Sequence, residues 1–344
     1  MLGISVYFQD LDLHYLQEAK KCGVKYVFTS LQIPEEDYTS LDEKLPLFLN
    51  QCQLLELQVV PDISPVTFDK LKIPNQDYQQ LKNMGFKALR LDYGFDDYDI
   101  IKDLQKDFYL MLNASVIDEN YLKDALDHGV DLSKIAVTHN YYPHSDTGLS
   151  LKDFQEKNKI FQKYGLTIQA FVCGDILKRF PLYEGLPTVE KHRTVNPYIA
   201  SIELLQNCCV DDVFIGDSQA EMSTLQYIND YMKENIITIP CYLEKGYEYL
   251  YDQNIQVRKD QSESLIRLSL PRKPYIPIQK STLRKRGYIV MENQLAGRYS
   301  GEVSLMKQDL SFISRTNTIG FIHPEYTDVL DFINANTKIR FVRL

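Results

Sequence analysis

The stretch Ala88-Leu89-Arg90-Leu91-Asp92-Tyr93-Gly94 carries the first decision about this chain. Leu89 and Leu91 alternate with Arg90 and Asp92, the two-residue period of a strand. Gly85, a helix stop, lies just before it, and Gly94 follows at once. Seven other apolar runs resemble it: Gly3–Tyr7, Tyr26–Ser30, Gln58–Asp62, Phe108–Asn113, Ile135–His139, Thr167–Phe171 and Asp212–Asp217. Longer helical patterns separate them, such as Leu11–Cys22 closed by Gly23, and about Leu41 to Leu55. Strands alternating with helices imply a parallel sheet covered by helices, and eight such units are the count of a (β/α)8 TIM barrel. The rival, a doubly wound open sheet, more often carries a glycine-rich phosphate turn after its first strand. Here that strand runs into Tyr7-Phe8-Gln9-Asp10, so the barrel is the expectation.

Past residue 233 the period changes. Ile236–Leu243, Tyr247–Tyr251, Ile255–Arg258, Leu265–Leu270, Tyr288–Met291 and Glu302–Leu305 read as short strands with little room for crossover helices. A helix from about Thr327 to Asn334 and a strand Ile339–Val342 close the pattern. The expected organisation is a catalytic barrel over residues 1–233 and a small, mostly antiparallel β-domain over 234–344.

Composition sets limits. Thirty-eight basic against 47 acidic residues leave a net charge of −9, which argues against a general nucleic-acid binder. Hydrophobic residues at 44% and charged residues at 25% describe an ordinary globular chain. No run of eighteen apolar residues predicts a membrane helix, and Met1–Leu16 has neither the basic nor the apolar region of a secretory signal. The six cysteines form no CxxC pair, so free buried thiols and a cytoplasmic location are expected.

Barrel enzymes place their chemistry at the C-terminal ends of the strands. Those ends carry Asp62, Asp92, Asn113, His139-Asn140-Tyr141 and Asp217. Asp and Asn disfavour strand interiors, so their concentration at one rim points to a site. Each has a plainer reading: Asp62 and Asp217 as helix caps, Asn113 as a turn residue. Strand alternation puts Arg90 on the face of Asp92, where it would hold a carboxylate or form a structural pair. His139 and His144 lack a dependable metal spacing, and neither metal nor cofactor is expected. Two long loops add Glu184, Glu190, His192 and Arg193, and the small domain adds Arg298 in Gly297-Arg298-Tyr299-Ser300-Gly301.

Several motifs occur in one order: Gly-Ile-Ser-Val-Tyr, Leu-Arg-Leu-Asp-Tyr-Gly-Phe, Asn-Ala-Ser, His-Asn-Tyr-Tyr-Pro-(x4)-Gly-Leu-Ser, Glu-Gly-Leu-Pro-Thr-Val-Glu-Lys-His-Arg, Ile-Gly-Asp-Ser and Gln-Leu-Ala-Gly-Arg-Tyr-Ser-Gly. Together they resemble the bacterial 6-phospho-N-acetylmuramidase family over essentially the whole chain. The chain departs from the family pattern at Phe8, Val116 and His144. The resemblance implies a barrel joined to a cyclophilin-like β-domain that closes the substrate site. It also implies hydrolysis of the β-1,4 bond of N-acetylmuramic acid 6-phosphate–N-acetylglucosamine, a phosphorylated amino-sugar disaccharide of cell-wall recycling. Glycoside hydrolysis needs two carboxyl groups at the bond. Asp92 and Glu190 are the expected pair, with Asp217 in reserve. Asp62, Asn113, Asn140, Tyr141 and Glu184 are expected at the sugars, and His192, Arg193 and Arg298 at the phosphate. A non-hydrolytic sugar-phosphate enzyme and a non-catalytic sugar-binding barrel are the alternatives. An aldolase of the Schiff-base type would want a lysine at a strand end, and none stands there.

Overall fold

A computed structural model describes residues 1–33 and 41–343. It divides into two compact units, Met1–Asn229 and Asp230–Leu344.

The first unit is a closed eight-stranded parallel barrel. Its strands are β1 (Leu2–Ser5), β2 (Tyr26–Ser30), β3 (Gln58–Ile63), β4 (Ala88–Leu91), β5 (Tyr109–Asn113), β6 (Ile135–Thr138), β7 (Thr167–Val172) and β8 (Asp212–Ile215). Each pairs in parallel with the next, and β1 closes on β8 through Gly3 beside Phe214. The helices are α1 (Leu13–Lys21), α2 (Leu41–Leu54), α3 (Pro65–Lys70), α4 (Tyr78–Asn83), α5 (Tyr98–Leu104), α6 (Glu119–Asp127), α7 (Leu151–Lys163), α8 (Pro197–Asn207) and α9 (Met222–Glu234). Short polar side chains start several of them: Asp12 accepts from His14 N and Tyr15 N, Asp118 from Tyr121 N, and Ser150 from Asp153 N. These caps satisfy backbone donors that have no partner inside the helix.

The barrel interior is filled by rings set against small residues. Tyr26, Phe28, Phe171 and Phe214 pack with Val60, Ala88, Met111 and Ala136. Phe171 meets Phe28 edge-on at 5.3 Å and Phe214 at 5.5 Å. Glycine at position 3 is a packing requirement, because a Cβ there would sit 2.3 Å from the Phe214 ring. The packed rings make the barrel interior a solid core rather than a pore.

The second unit is a seven-stranded sheet ordered β10-β15-β9-β14-β12-β13-β11. The strands are β9 (Ile236–Leu243), β10 (Ile255–Gln256), β11 (Leu265–Arg267), β12 (Tyr288–Glu292), β13 (Val303–Met306), β14 (Thr316–Ile322) and β15 (Lys338–Arg343). All pairs are antiparallel except β15 with β9. Two sequence expectations are corrected here, and one strand is new. Tyr247–Tyr251 is not a strand: Glu248–Leu250 forms a 3-10 turn, and the Tyr251 hydroxyl donates back to Cys241 O and accepts from Leu243 N. The expected helix near Thr327 is a 3-10 run, Pro324–Phe332. Strand β14 has no counterpart in the sequence reading. It holds Asn317 and Gly320, residues that weaken strands, yet both are needed. Buried Asn317 accepts from Gln279 N and from Asn293 Nδ2 and donates to Pro277 O, and a Cβ at Gly320 would meet Tyr242 O at 2.3 Å.

All six cysteines are free thiols. No helix among the described residues is long and apolar enough to cross a membrane.

Candidate active site

A cavity of about 380 Å³ opens at the C-terminal mouth of the barrel. Its floor is Phe28 and Phe171, and its polar lining is Gln32, Asp62, Arg90, Asp92, Asn140 and Arg179. Tyr93, Tyr141 and Pro143 supply further apolar wall.

Arg90 organises this lining. Its side chain points inward from β4, as the alternation with Leu89 and Leu91 requires. It is 3% exposed, and its guanidinium donates to Asp62 Oδ1, to Asp92 Oδ1 at 3.3 Å and to Asn140 Oδ1. Gln32 closes the same group from the other side. Its Nε2 donates to Asp62 Oδ2 at 2.7 Å and to Asp92 Oδ2 at 2.9 Å. Asn113 Nδ2 adds a third donor to Asp92 at 3.0 Å, while Asn113 Oδ1 accepts from Ser115 N. Asn113 therefore serves its turn and the site together. Asn140 continues the network through Nδ2 to Ser115 Oγ.

The two carboxyls are not equivalent. Asp62 lies buried at the end of β3, and desolvation raises its proton affinity above the ordinary aspartate range despite the pull of Arg90. Arg90 is held charged: burial opposes the charge, but Asp62 and Asp92 outweigh it. Asp92 keeps 26% of its side chain exposed toward the cavity. Asp62 is not a helix cap, since Ser64 occupies that position for α3.

Tyr141 belongs to the lining, and Tyr7 lies behind it, its ring centre 4.5 Å from the guanidinium carbon of Arg179. Tyr7 donates to Gly216 O at 2.7 Å, and burial pushes both phenols upward, so both stay protonated. Tyr141 packs edge-on against Phe28 and Phe171.

The remaining sequence candidates of the first unit are not among the residues that line this cavity. Glu190 is outside the cavity lining. Its Oε1 accepts from Asp146 N (3.0 Å) and Arg193 Nε (2.6 Å), and its Oε2 from Gly148 N (2.8 Å) and Arg193 Nη2 (2.7 Å). The Arg193 hydrogen bonds pull the Glu190 carboxyl down to about 2. Arg193 also donates to the carbonyls of Tyr142, His144 and Gly185, so its fork is spent on tying the loop after β6 to the loop after β7. Glu184 reinforces that seam by accepting from Ser145 N. His192 is buried against Glu203 (2.8 Å), whose carboxyl it draws down to about 2 with help from Lys191.

Asp217 is fully buried and accepts from the backbone N–H groups of Gly174, Arg179 and Leu186. It fastens the loop after β7 and caps no helix. His139 is a core histidine on Asn158 Oδ1, and burial lowers it to about 4. Arg298 belongs to the second unit, where it donates to the Tyr299 hydroxyl at 2.6 Å. Sequence reasoning overlooked Gln32, Tyr93 and Arg179 as lining residues. Tyr93 was within reach, since it follows Asp92 directly and is 54% exposed.

The description "6-phospho-N-acetylmuramidase, N-terminal" fits residues 2–230, and "6-phospho-N-acetylmuramidase, C-terminal" fits residues 238–342. The chain belongs to the 6-phospho-N-acetylmuramidase family. The family name denotes a glycoside hydrolase. A conserved Enterococcus faecalis protein of unknown function shares 28% identity, with a TM-score of 0.85 over 100% of this chain and 96% of that one. An uncharacterised B. cereus protein shares 25%, with a TM-score of 0.79 over 99% of both chains. No protein with a curated description matches significantly.

Proposed function

We propose that this chain hydrolyses the β-1,4 bond between N-acetylmuramic acid 6-phosphate and N-acetylglucosamine. On this reading it acts in the cytoplasm on a disaccharide of cell-wall turnover. The observation that carries the proposal is the bridged pair Asp62 and Asp92 in the barrel-mouth cavity, together with membership of the family.

The pair is unequal in the way glycoside hydrolysis requires. Asp62 takes a proton more readily than an ordinary aspartate because it is buried. Asp92 accepts from three N–H donors and faces the cavity, so it is the group that meets positive charge developing at the anomeric carbon. Both accept from one nitrogen, Gln32 Nε2, so those oxygens are no farther apart than the sum of 2.7 and 2.9 Å. Inverting enzymes hold their carboxyls roughly 6.5–9.5 Å apart to admit a water between them. The closer pair supports retention of configuration. Asn140, Tyr141 and exposed Tyr93 are placed to contact sugar hydroxyls and ring faces. Glu190, Glu184, Arg193, His192 and Asp217 act on this reading as positioning residues of the two long loops. None of the described cavity-lining residues is a lysine, so the aldolase alternative lacks its nucleophile there.

The test is incubation of the purified chain with the phosphorylated and unphosphorylated muramyl disaccharides, with N-acetylglucosamine release and the anomeric proton followed by NMR. Cleavage of the phosphorylated disaccharide with β-configuration in the first-formed product is expected. Absence of cleavage of both would refute the hydrolase reading, and an α-product would refute retention.

A further inference from the structure

We propose that Gln32 is a positioning residue of the barrel-mouth site: its one amide nitrogen clamps the carboxyl groups of Asp62 and Asp92 together and favours their charged forms. The reaction that the clamp serves rests on the hydrolase reading; the clamp itself does not.

Gln32 stands just past the end of β2, outside every strand and helix. Its backbone is held there from two sides. Leu31 N donates to Asp62 O at 3.1 Å, and Lys70 of α3 donates to Gln32 O at 2.8 Å and to Ile33 O at 3.1 Å. From that fixed base Nε2 donates to Asp62 Oδ2 at 2.7 Å and to Asp92 Oδ2 at 2.9 Å. An amide NH2 has two hydrogens, and both are used on carboxyl oxygens. Oε1 of the same amide is buried and has no hydrogen-bond partner among the described residues. A buried acceptor left unmet costs stability. The amide nevertheless keeps this orientation, which is the one that two negative charges select, since hydrogen bonds to ionised acceptors are about twice as strong as neutral ones.

Arg90 grips the other edge of the pair, donating to Asp62 Oδ1 and Asp92 Oδ1. Each carboxyl thus has one oxygen on the guanidinium and the other on the amide. Two carboxyls this close repel when both are charged, and they take up protons as a coupled pair. The Gln32 donors oppose that uptake without adding a charge of their own. The other charged or titratable groups around the pair are Arg90 on β4, Tyr93 beside Asp92, Tyr141 after β6 and Arg179 after β7, with Lys70 behind Gln32. Arg90 and Tyr141 are both raised above their ordinary values and hold their protons, so a proton taken up in the acid range goes to the carboxyls. Removing the Gln32 donors should therefore move the titration of the pair to higher pH.

The experiment titrates the aspartate carboxyl carbons by NMR, after isotopic labelling, in wild type, Gln32→Met and Gln32→Glu. Spectra of Asp62→Asn and Asp92→Asn assign the two signals. The apparent midpoints of the pair should rise by at least about half a pH unit in Gln32→Met, and further in Gln32→Glu, which adds a third carboxyl. A smaller rise in variants that thermal unfolding shows to be folded would overturn the proposal. Gln32→Glu has the shape of the native residue and decides the matter if Gln32→Met does not fold. On the phosphorylated muramyl disaccharide, the pH profile of kcat/KM should move in the same direction. In Gln32→Met kcat should fall at least about tenfold with KM within about threefold of wild type. A raised KM with kcat and the pH profile unchanged would make Gln32 a substrate contact and overturn the positioning role. If the wild type cleaves nothing, the hydrolase reading fails by itself, and the carboxyl titration still decides the clamp.

Discussion

Replacing Glu190 by glutamine separates an anchor from a catalytic acid. The carboxylate takes four hydrogen bonds, two from backbone N–H groups of the loop after β6 and two from Arg193. An amide of the same shape can accept at one atom only and turns its NH2 toward a donor. Arg193 draws the carboxyl from 4.5 to about 2. At about 1.4 kcal/mol for each tenfold change in proton affinity, this caps the linkage at roughly 3.4 kcal/mol. The side chain is 28% exposed, so solvent screening brings the expected cost nearer to about 2 kcal/mol. For a unit of this size that corresponds to a Tm lower by roughly 4–8 °C at pH 7. The sign of the pH dependence follows from the depressed value. The stabilisation is fully present above the unfolded value of 4.5 and is lost as pH falls toward about 2. Thermal or urea unfolding of wild type and Glu190→Gln from pH 7 to pH 3 should therefore show a gap that narrows below pH 5. A gap that stays constant over that range, or one under about 0.5 kcal/mol at pH 7, would refute the anchor. A loss of activity of a thousandfold or more without loss of stability would return Glu190 to the chemistry.

Other outcomes follow from the same contacts. Arg90→Met leaves the buried Asp62 carboxylate uncompensated and should cost about 3–5 kcal/mol in urea unfolding. Because the folded state already favours protonated Asp62, that deficit should be smallest at low pH and grow as pH rises toward 7. Gly3→Ala drives a Cβ into the Phe214 ring at 2.3 Å and should cost about 1–3 kcal/mol, seen as a lower Tm. Asp217→Asn gives up part of a three-donor carboxylate site, and a loss of about 2 kcal/mol with a raised KM for the phosphorylated substrate is expected as the Arg179 loop loosens.

The barrel is legible in the sequence because its signal is local and repeated. Each strand is a short apolar run, and the helices between them end at glycines such as Gly23, Gly85 and Gly165. The period of two also predicts that Arg90 and Asp92 share a face, and they do, 3.3 Å apart. What escapes is set by partners distant in the chain. Glu190 and Asp92 look alike as acidic residues of a barrel rim, and only the path of the loop after β6 turns one into an anchor. Asp217 follows β8 much as Asp62 stands near the end of β3, but three backbone N–H groups enclose it. Gln32 and Arg179 sit in loops with no periodicity to mark them. Strand β14 is hidden for a related reason. Asn317 and Gly320 look like turn residues until their long-range partners, Asn293 and the Tyr242 carbonyl, are in place.

The most direct measurement is the steady-state hydrolysis of the phosphorylated muramyl disaccharide by Asp92→Asn, with its thermal unfolding as the control. With the carboxylate at the reacting centre, kcat/KM should fall at least about a thousandfold while the protein stays folded. A folded variant that retains more than a tenth of wild-type activity would contradict the placement of the chemistry at Asp92.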